Sequence, residues 1–526
     1  MSRLNVVIPL LFTALVALWI AADGRHHWDE PGYLYAGAYQ SVAEIVGGQV
    51  QPSGIPHFMQ GRILHVLIVK GVMNLAGSSA AGFRAMIALD LLLLAASVVL
   101  LFRIFQALLP DVPERRIAVA LIAFSPVMLY LAFRTLADTE AFLAALAATL
   151  GLVRVAQGGR VGHAMIATLA LVVTALAKNQ MAVMPAAGWA ALCVVPFGSI
   201  DRRRLALVGA ASGLAAIAIT VGLLHLLGIG TASYVGSYAN LTEGTVQEVA
   251  KVLNIGTELG AIWILLPFAF LTARRRELAA FILWFLLAMA PFVLLIDSIE
   301  ARHVAVNLVA AGGLIALALE AIASRWRRWG ELRAGGRTAL AALAAAVLLA
   351  SNALILAIMP HRVNTAEMRA MLDRFDQRFG ENGYVLLTAT GYTDFQMVRV
   401  LWPGVDVRDA STDEIFVHEG LRGRREALDA WLGGRYLDSV EALRALGKPV
   451  VYMGYRQTFA AENLRAIMAA LSAPLADRLL GMVDLIDRLF PPSTAWLWKS
   501  TETRLEPLEQ IGHYHAFEVK LGAAMP

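Results

Sequence analysis

An acidic pair flanked by aromatic residues follows the first apolar run of the chain. The pair, Asp29 and Glu30, lies in the segment 25–35, which reads RHHWDEPGYLY. Carboxylates just outside a membrane helix, with aromatic side chains at the depth of the lipid head groups, are well placed to meet a substrate whose tail lies in lipid. The alternative is a solvated loop with an ordinary interfacial belt of Trp and Tyr. Composition alone leaves both interpretations open.

Histidines add a second kind of chemistry to the same region. His26, His27, His57 and His65 all lie between the first two predicted spans, and with Asp29 they offer nitrogen and oxygen ligands for a divalent metal ion. Their spacing matches no metal-binding motif, so hydrated loop histidines remain the alternative. A divalent metal therefore stays an open prediction, with Asp29, His27 and His57 as its candidate ligands, and no other cofactor is predicted.

The composition indicates that a membrane protein must position these residues. Of 526 residues, 58% are hydrophobic and 16% are charged, whereas a soluble domain averages about 25% charged and about 45–50% apolar residues. From His361 onward there are 22 acidic and 19 basic residues, so the last third of the chain has the charge content of a soluble domain. The single cysteine, Cys193, excludes a disulfide within the chain and a cysteine metal site.

Apolar runs long enough to cross about 30 Å of hydrocarbon predict a polytopic α-helical membrane protein with eleven spans. The spans are residues 5–22, 83–109, 117–133, 140–157, 164–178, 181–198, 205–228, 256–272, 279–296, 304–323 and 338–359. The first run is predicted to be a retained helix and not a signal peptide, because no clear small-residue cleavage site precedes Trp28.

Arginines in every second loop set the predicted orientation. They are Arg3, Arg115, Arg116, Arg154, Arg160, Arg202, Arg203, Arg204, Arg274, Arg275, Arg276, Arg325, Arg327, Arg328, Arg333 and Arg337. The N-terminus is therefore predicted to be cytoplasmic. The domain after residue 360 is predicted to be periplasmic, in a multi-pass protein of the bacterial inner membrane. Basic residues confined to such short loops indicate topology, and no nucleic-acid partner is predicted.

The first outer loop, residues 23–82, is the longest. Within it the segment 61–77 is apolar but short, and His65 and Lys70 interrupt it. This pattern predicts an amphipathic helix lying on the outer surface of the membrane. The predicted transmembrane module thus covers residues 1–359 and includes this loop.

The tail, residues 360–526, is predicted to be a periplasmic α/β domain. Its predicted helices are residues 365–379, 460–471 and 475–489, and its predicted strands are residues 384–390, 449–455 and 516–521. A group of aromatic and histidine residues favours core packing over sugar stacking, namely Trp496, Trp498, His513, Tyr514 and His515. The tail has no catalytic spacing, and we assign it to acceptor recognition or to capping a cavity.

The order of features along residues 1–360 resembles membrane glycosyltransferases of the GT-C fold. An acidic pair follows the first span, then come tyrosines, Pro56-His57, a surface helix from Gly61, and Phe83-Arg84 at the start of the second span. Ser125-Pro126 and the segment 134–139 (RTLADT) fit the same pattern. The resemblance is to the group that contains protein O-mannosyltransferases and the aminoarabinose transferases that modify lipid A. Each motif is short, so the resemblance rests on order and topology.

This resemblance implies an enzyme that transfers a hexose or pentose from a polyprenyl-phosphate donor to a glycan, lipid or protein acceptor in the periplasm, with inversion. The resemblance implies that the catalytic carboxylate of the first outer loop is Asp29, with Glu30 beside it, acting as a general base. A carboxylate there can take the proton of an acceptor hydroxyl as it attacks the anomeric carbon.

Outer-face cations would bind the donor phosphate, whose charge grows in the transition state. The implied phosphate ligands are Lys178, Arg302, Arg134 and Arg84, and the implied substrate contacts are Tyr33, Tyr35, His57, Arg62, Asp138 and His303. Interfacial snorkelling is the alternative for each cation. An ion pair between Arg134 and Asp138, four residues apart, competes with phosphate binding.

Two other classes remain as alternatives. A transporter or lipid flippase also places charges within spans, but transporters commonly contain repeated halves, and the sequence shows no convincing repeat. A non-catalytic assembly or receptor protein would not bring the outer-face cations together.

Overall fold

The computed structural model describes most of the chain and divides it into two compact units. The described residues are 4–23, 25–26, 30–47, 60–132, 136–198, 200–230, 234, 259–295, 301–328, 363–381, 383–388, 393–409, 434–437, 439–455, 503–512 and 514–522. The helical unit comprises Met1–Trp19, Gln60–His65 and Ile87–Ala357, and the mixed unit comprises Ile20–Met59, Val66–Met86 and Ile358–Pro526.

Helices dominate the first part of the chain and alternate with strands in the last part. The α-helices are α1 (Leu4–Asp23), α2 (Glu30–Tyr39), α3 (Val42–Gly47), α4 (Ile63–Ala76), α5 (Ser79–Leu108), α6 (Arg115–Ala123), α7 (Pro126–Ala132), α8 (Asp138–Ala156), α9 (Val161–Lys178), α10 (Val183–Val194), α11 (Arg202–Leu226), α12 (Arg275–Leu295), α13 (Ala301–Val304), α14 (Leu308–Arg328), α15 (Thr365–Phe379), α16 (Thr393–Leu401) and α17 (Val440–Ala445). The described residues also form 3-10 helices at Gln60–Arg62, Asn179–Ala182, Gly260–Leu271 and Ala305–Asn307. The strands are β1 (Arg25–His26), β2 (Val363–Asn364), β3 (Val385–Thr388), β4 (Val407–Asp409), β5 (Val450–Tyr455), β6 (Thr503–Ile511) and β7 (Tyr514–Leu521).

Six helical stretches among the described residues are long and apolar enough to cross a membrane. They are Ser79–Leu108, Asp138–Ala156, Val161–Val194, Arg202–Leu226, Arg275–Val293 and Ala305–Arg325. Seven of the predicted spans fall on these six stretches. The spans predicted at 164–178 and 181–198 share one of them, Val161–Val194. The last predicted span, 338–359, lies outside the described residues, and the total of eleven stays a prediction.

Proline accounts for the runs that depart from a single α-helix. The span predicted at 117–133 forms two short helices, α6 and α7, which meet at Ser125-Pro126. The span predicted at 256–272 is a 3-10 helix that contains Pro267. Proline lacks the backbone N–H and its ring clashes with the preceding turn of an α-helix, so a proline inside an apolar run can interrupt the α-helix, although α12 continues through Pro291.

Glycines let aromatic rings reach the backbone of neighbouring helices in the helical unit. The indole of Trp284 on α12 lies against Gly188 of α10, where an added Cβ would come within 2.4 Å of the ring. The same indole donates a hydrogen bond from Nε1 to the carbonyl of Met184 at 3.0 Å. Close approach at small residues is how helices pack in a membrane. It holds α10 beside α12.

A five-stranded sheet forms the core of the mixed unit. The strand order is β4-β3-β5-β7-β6, in which β4 and β5 run parallel to β3 and the last two pairs are antiparallel. The strands predicted at 384–390, 449–455 and 516–521 are confirmed as β3, β5 and β7. The helix predicted at 365–379 is confirmed as α15, which Asn364 caps by accepting hydrogen bonds from the amides of Ala366 and Glu367. The helices predicted at 460–471 and 475–489 lie outside the described residues.

Parts of the first outer loop also belong to the mixed unit. β1 pairs antiparallel with β2, and α2 packs against α16. The helix predicted at 61–77 is confirmed as α4, preceded by the 3-10 turn Gln60–Arg62. Its location on the outer membrane surface stays a prediction. The boundary predicted between the two domains, at residues 359 and 360, lies outside the described residues.

Candidate functional site

The first turn of α8 places a cluster of polar side chains inside the helical unit. α8 begins with Asp138, Thr139 and Glu140, which are all buried. The residue before them, Ala137, has no side chain that could cap the helix. Carboxylates are stabilised at a helix N-terminus because the unpaired amides there carry partial positive charge. Two buried acids within three residues nevertheless require cationic or hydrogen-bonding partners.

Lys178 is the partner of Asp138. The lysine Nζ donates to Asp138 Oδ1 at 2.5 Å, and both side chains are almost fully buried. Lys178 is the last residue of α9, where the chain changes to the 3-10 turn Asn179–Ala182. A cation at a helix C-terminus faces the negative end of the backbone dipole, so the two helix ends reinforce the ion pair.

His65 is the partner of Glu140. Its Nδ1 lies 2.9 Å from Glu140 Oε1, and both side chains are buried. His65 belongs to the first turn of α4, directly after the 3-10 turn that contains the buried Arg62. That 3-10 turn contacts α9. The start of α8 is thus joined to α9 by one polar pair and to α4 by the other.

Several buried polar atoms at this place make no hydrogen bond to any described protein group. They are Thr139 Oγ1, Glu140 Oε2 and Gln180 Oε1. Asn307 is fully buried in the 3-10 turn between α13 and α14, and its side-chain amide nitrogen and oxygen likewise make no hydrogen bond to any described protein group. Buried polar atoms that the protein does not satisfy are where waters or ligand groups usually bind. None of these four residues was among the sequence-based candidates.

Glu30, Tyr33 and Tyr35 of the mixed unit are all buried on α2. Burial raises the pKa of the Tyr35 hydroxyl to about 12, although the nearby Arg399 opposes the shift. Tyr35 therefore stays protonated at neutral pH. Its hydroxyl can donate or accept a hydrogen bond, but it cannot serve as the general base.

The remaining predicted site residues divide into three groups. Asp29, His27, His57 and Arg134 lie outside the described residues. Arg302 lies on α13, and its side chain is not described. Arg84 is exposed on α5, whereas His303 is buried and stacks on Phe292 with ring centroids 5.4 Å apart.

Two expectations from the sequence concern this part of the chain. The ion pair between Arg134 and Asp138 stays a prediction, because Arg134 lies outside the described residues. Asp138 begins α8 and pairs with Lys178. Among the described residues, no group of three His, Cys, Asp or Glu side chains is arranged to hold a metal ion. The candidate metal ligands lie elsewhere in the chain, so the metal remains an open prediction.

Comparison with known proteins identifies the fold. No family model and no curated protein sequence matches the chain. The chain is similar to the crystal structure of ArnT from Cupriavidus metallidurans in the apo state, with a TM-score of 0.53, 14% identity and 97% of each chain covered. It is also similar to that ArnT bound to undecaprenyl phosphate, with a TM-score of 0.51, 14% identity and 97% of each chain covered.

This likeness confirms the expected fold. ArnT has the GT-C fold, and the match covers 97% of this chain. The chain is a helical membrane protein of this fold, with six apolar helical stretches among its described residues. At 14% identity the likeness concerns the fold alone.

Proposed function

We propose that the protein is a glycosyltransferase that takes a sugar from a polyprenyl-phosphate donor. It would act at the periplasmic side of the bacterial inner membrane, on a glycan, lipid or protein acceptor. The observation that carries the proposal is the buried Lys178–Asp138 pair, with Arg62 in a turn that contacts the same helix. Ionised groups are costly inside a membrane protein, so charges that persist there are a functional hypothesis by default.

Lys178 and Arg62 are better explained as ligands of a lipid phosphate than as purely structural charges. A phosphate group can replace Asp138 as the anionic partner of Lys178, so the ion pair would keep the cation compensated until the donor binds. Charge then accumulates on the phosphate as the bond to the sugar breaks. A fixed ammonium beside it stabilises this transition state more than the ground state. The fold likeness to an ArnT bound to undecaprenyl phosphate supports the same ligand class.

Buried polar atoms beside the pair are suited to the sugar. Thr139 Oγ1, Glu140 Oε2 and Gln180 Oε1 lie within two residues of Asp138 or Lys178 along the chain. We assign them to the hydroxyl groups of the donor sugar, which need acceptors and donors once removed from water. The His65–Glu140 hydrogen bond would fix the orientation of Glu140.

The reaction would be a single displacement with inversion. The acceptor hydroxyl oxygen attacks the anomeric carbon and its proton passes to Asp29. The bond from that carbon to the phosphate oxygen breaks at the same time, and the lipid leaves as polyprenyl phosphate. One general base suffices for this step, in contrast to the carboxylate pair of glycoside hydrolysis. Glu30, buried at the start of α2, would support the loop that contains Asp29.

Removal of the protein from its host tests the proposal in the cell. We expect one class of periplasmic glycan, lipid or protein to lose mass equal to one sugar residue, because the donor would have no route to that acceptor. The measurement is mass spectrometry of envelope lipids, polysaccharides and proteins from deleted and complemented cells. An envelope with unchanged masses in all three fractions would contradict the proposal.

A further inference from the structure

The tail holds both sides of the predicted catalytic loop. β1, which ends three residues before Asp29, pairs with β2 in the register Arg25 opposite Asn364 and His26 opposite Val363. α2, which begins directly after Asp29, packs against α16. All four elements belong to the mixed unit. The described elements before and after Asp29, β1 and α2, are therefore each held by an element of the tail.

The anchor between α2 and α16 consists of specific contacts. Tyr39 donates a hydrogen bond from Oη to the carbonyl of Arg399 at 2.5 Å, and the Arg399 guanidinium lies 4.8 Å from the centre of the same ring. One turn earlier, Tyr35 packs against Phe395 with ring centroids 6.1 Å apart. A hydrogen bond, a cation–π contact and an aromatic pair together fix the position of a short helix.

One hydroxyl connects the two anchors. Tyr514 Oη on β7 accepts a hydrogen bond from the backbone N–H of Asn364 on β2 at 3.4 Å. The same oxygen donates to Oδ1 of Asp394, in the first turn of α16, at 3.1 Å. Asn364, Asp394 and Tyr514 are all buried. β2, which pairs with β1, and α16, which packs against α2, are thus both hydrogen-bonded to the hydroxyl of Tyr514.

We propose that Tyr514 is a positioning residue for the transfer reaction. Its hydroxyl sets β2 relative to α16, and these two elements set the loop that contains Asp29. The inference rests on the proposed function and gives the tail a defined role in it. Displacing a catalytic group by about 1 Å costs roughly 100-fold in rate, so small movements of these anchors have measurable effects.

The variant Tyr514→Phe removes the hydroxyl and keeps the ring. We expect kcat for sugar transfer to fall at least about tenfold, with little change in the KM for the lipid donor, because donor contacts remain. The matched control is Tyr384→Phe, which removes another buried tyrosine hydroxyl of the mixed unit. The assay uses the full chain in vesicles with lipid-linked sugar extracted from the host membranes. Equal losses of kcat in both variants would overturn the proposal.

A second pair of variants tests the other end of the hydrogen bond. Asp394→Asn keeps an oxygen that can accept from Tyr514, whereas Asp394→Ala removes it. We expect Asp394→Asn to retain most of the kcat and Asp394→Ala to lose about as much as Tyr514→Phe. If the two Asp394 variants have the same kcat, the hydrogen bond does not position the loop. If Tyr514→Phe does not fold, this pair of Asp394 variants still tests whether the hydrogen bond between Tyr514 and Asp394 affects kcat.

Hydrogen exchange supplies a readout that does not depend on activity. In the detergent-solubilised full chain, we expect amides of residues 25–39 to exchange faster in Tyr514→Phe than in the wild type and in Tyr384→Phe. Unchanged protection of this segment would overturn the positioning role even if activity fell. A wild-type protein without transfer activity would instead contradict the proposed function, and the exchange result would still stand.

Discussion

Asp29→Asn is expected to reduce kcat/KM for sugar transfer by about 10²–10⁴-fold, the range typical for loss of a general base. The change is nearly isosteric, so it removes the basic oxygen while leaving the size of the side chain. Donor binding should persist, because the proposed phosphate ligands lie on other parts of the chain. The measurement is initial rates of transfer in vesicles, beside binding of undecaprenyl phosphate to the same preparation.

The matched control for this variant is Glu44→Gln. Glu44 lies in the same outer loop, and its carboxylate accepts a hydrogen bond from the amide of Ser41 at 2.6 Å. We expect it to keep wild-type rates, since its carboxylate has a local structural partner. If Asp29→Asn keeps full activity at normal protein levels, Asp29 is not the base. A loss in Glu30→Gln alone would then move the role to the neighbouring acid.

Lys178→Gln and Asp138→Asn are expected to change donor binding in opposite directions. The lysine variant removes a charged donor to the phosphate and should weaken binding of undecaprenyl phosphate about 10–100-fold, since such hydrogen bonds contribute about 1.5–3 kcal/mol. The aspartate variant removes the competing anion and should strengthen binding. Native mass spectrometry of the purified protein with undecaprenyl phosphate measures both.

Stability separates this proposal from a purely structural ion pair. Either single variant leaves one member of a buried pair without its charged partner, which typically costs about 3–5 kcal/mol. The double variant Lys178→Gln/Asp138→Asn should recover much of the thermal stability while donor binding stays weak. Recovery of stability together with wild-type affinity for undecaprenyl phosphate would contradict the assignment of Lys178 to the phosphate.

Local patterns in the sequence suffice for most of the individual elements. The apolar runs coincide with the long helices, and Asn364 and Gly380 bound α15 where the sequence predicts it. The sequence pattern did not reveal β1, because two residues pair with a strand more than 300 positions away. Such pairing depends on tertiary contacts that local patterning does not encode. The break between α6 and α7 was present in the sequence as Pro126, but the apolar run obscured it.

The ion pairs of the candidate site also depend on tertiary contacts that local sequence patterns do not reveal. The resemblance to GT-C enzymes implies donor- or substrate-binding roles for Lys178 and Asp138 separately, but their pairing over 40 positions follows only from the packing of α8 against α9. Glu140 is the first residue of the span predicted at 140–157, so the sequence pattern does not single it out as a site residue. A signal was available, since an acid at the start of an apolar run requires a buried partner or a helix N-terminus.

The fate of the lipid-linked sugar in proteoliposomes tests the central claim most directly. Purified protein is reconstituted with lipid-linked sugar and an envelope extract as acceptor, and the lipid is analysed by mass spectrometry and for its leaflet. The account predicts that the lipid loses one sugar and returns as polyprenyl phosphate, and that Asp29→Asn prevents this. A lipid that crosses the bilayer with its sugar still attached, equally in the wild type and in Asp29→Asn, would contradict the account and identify a flippase.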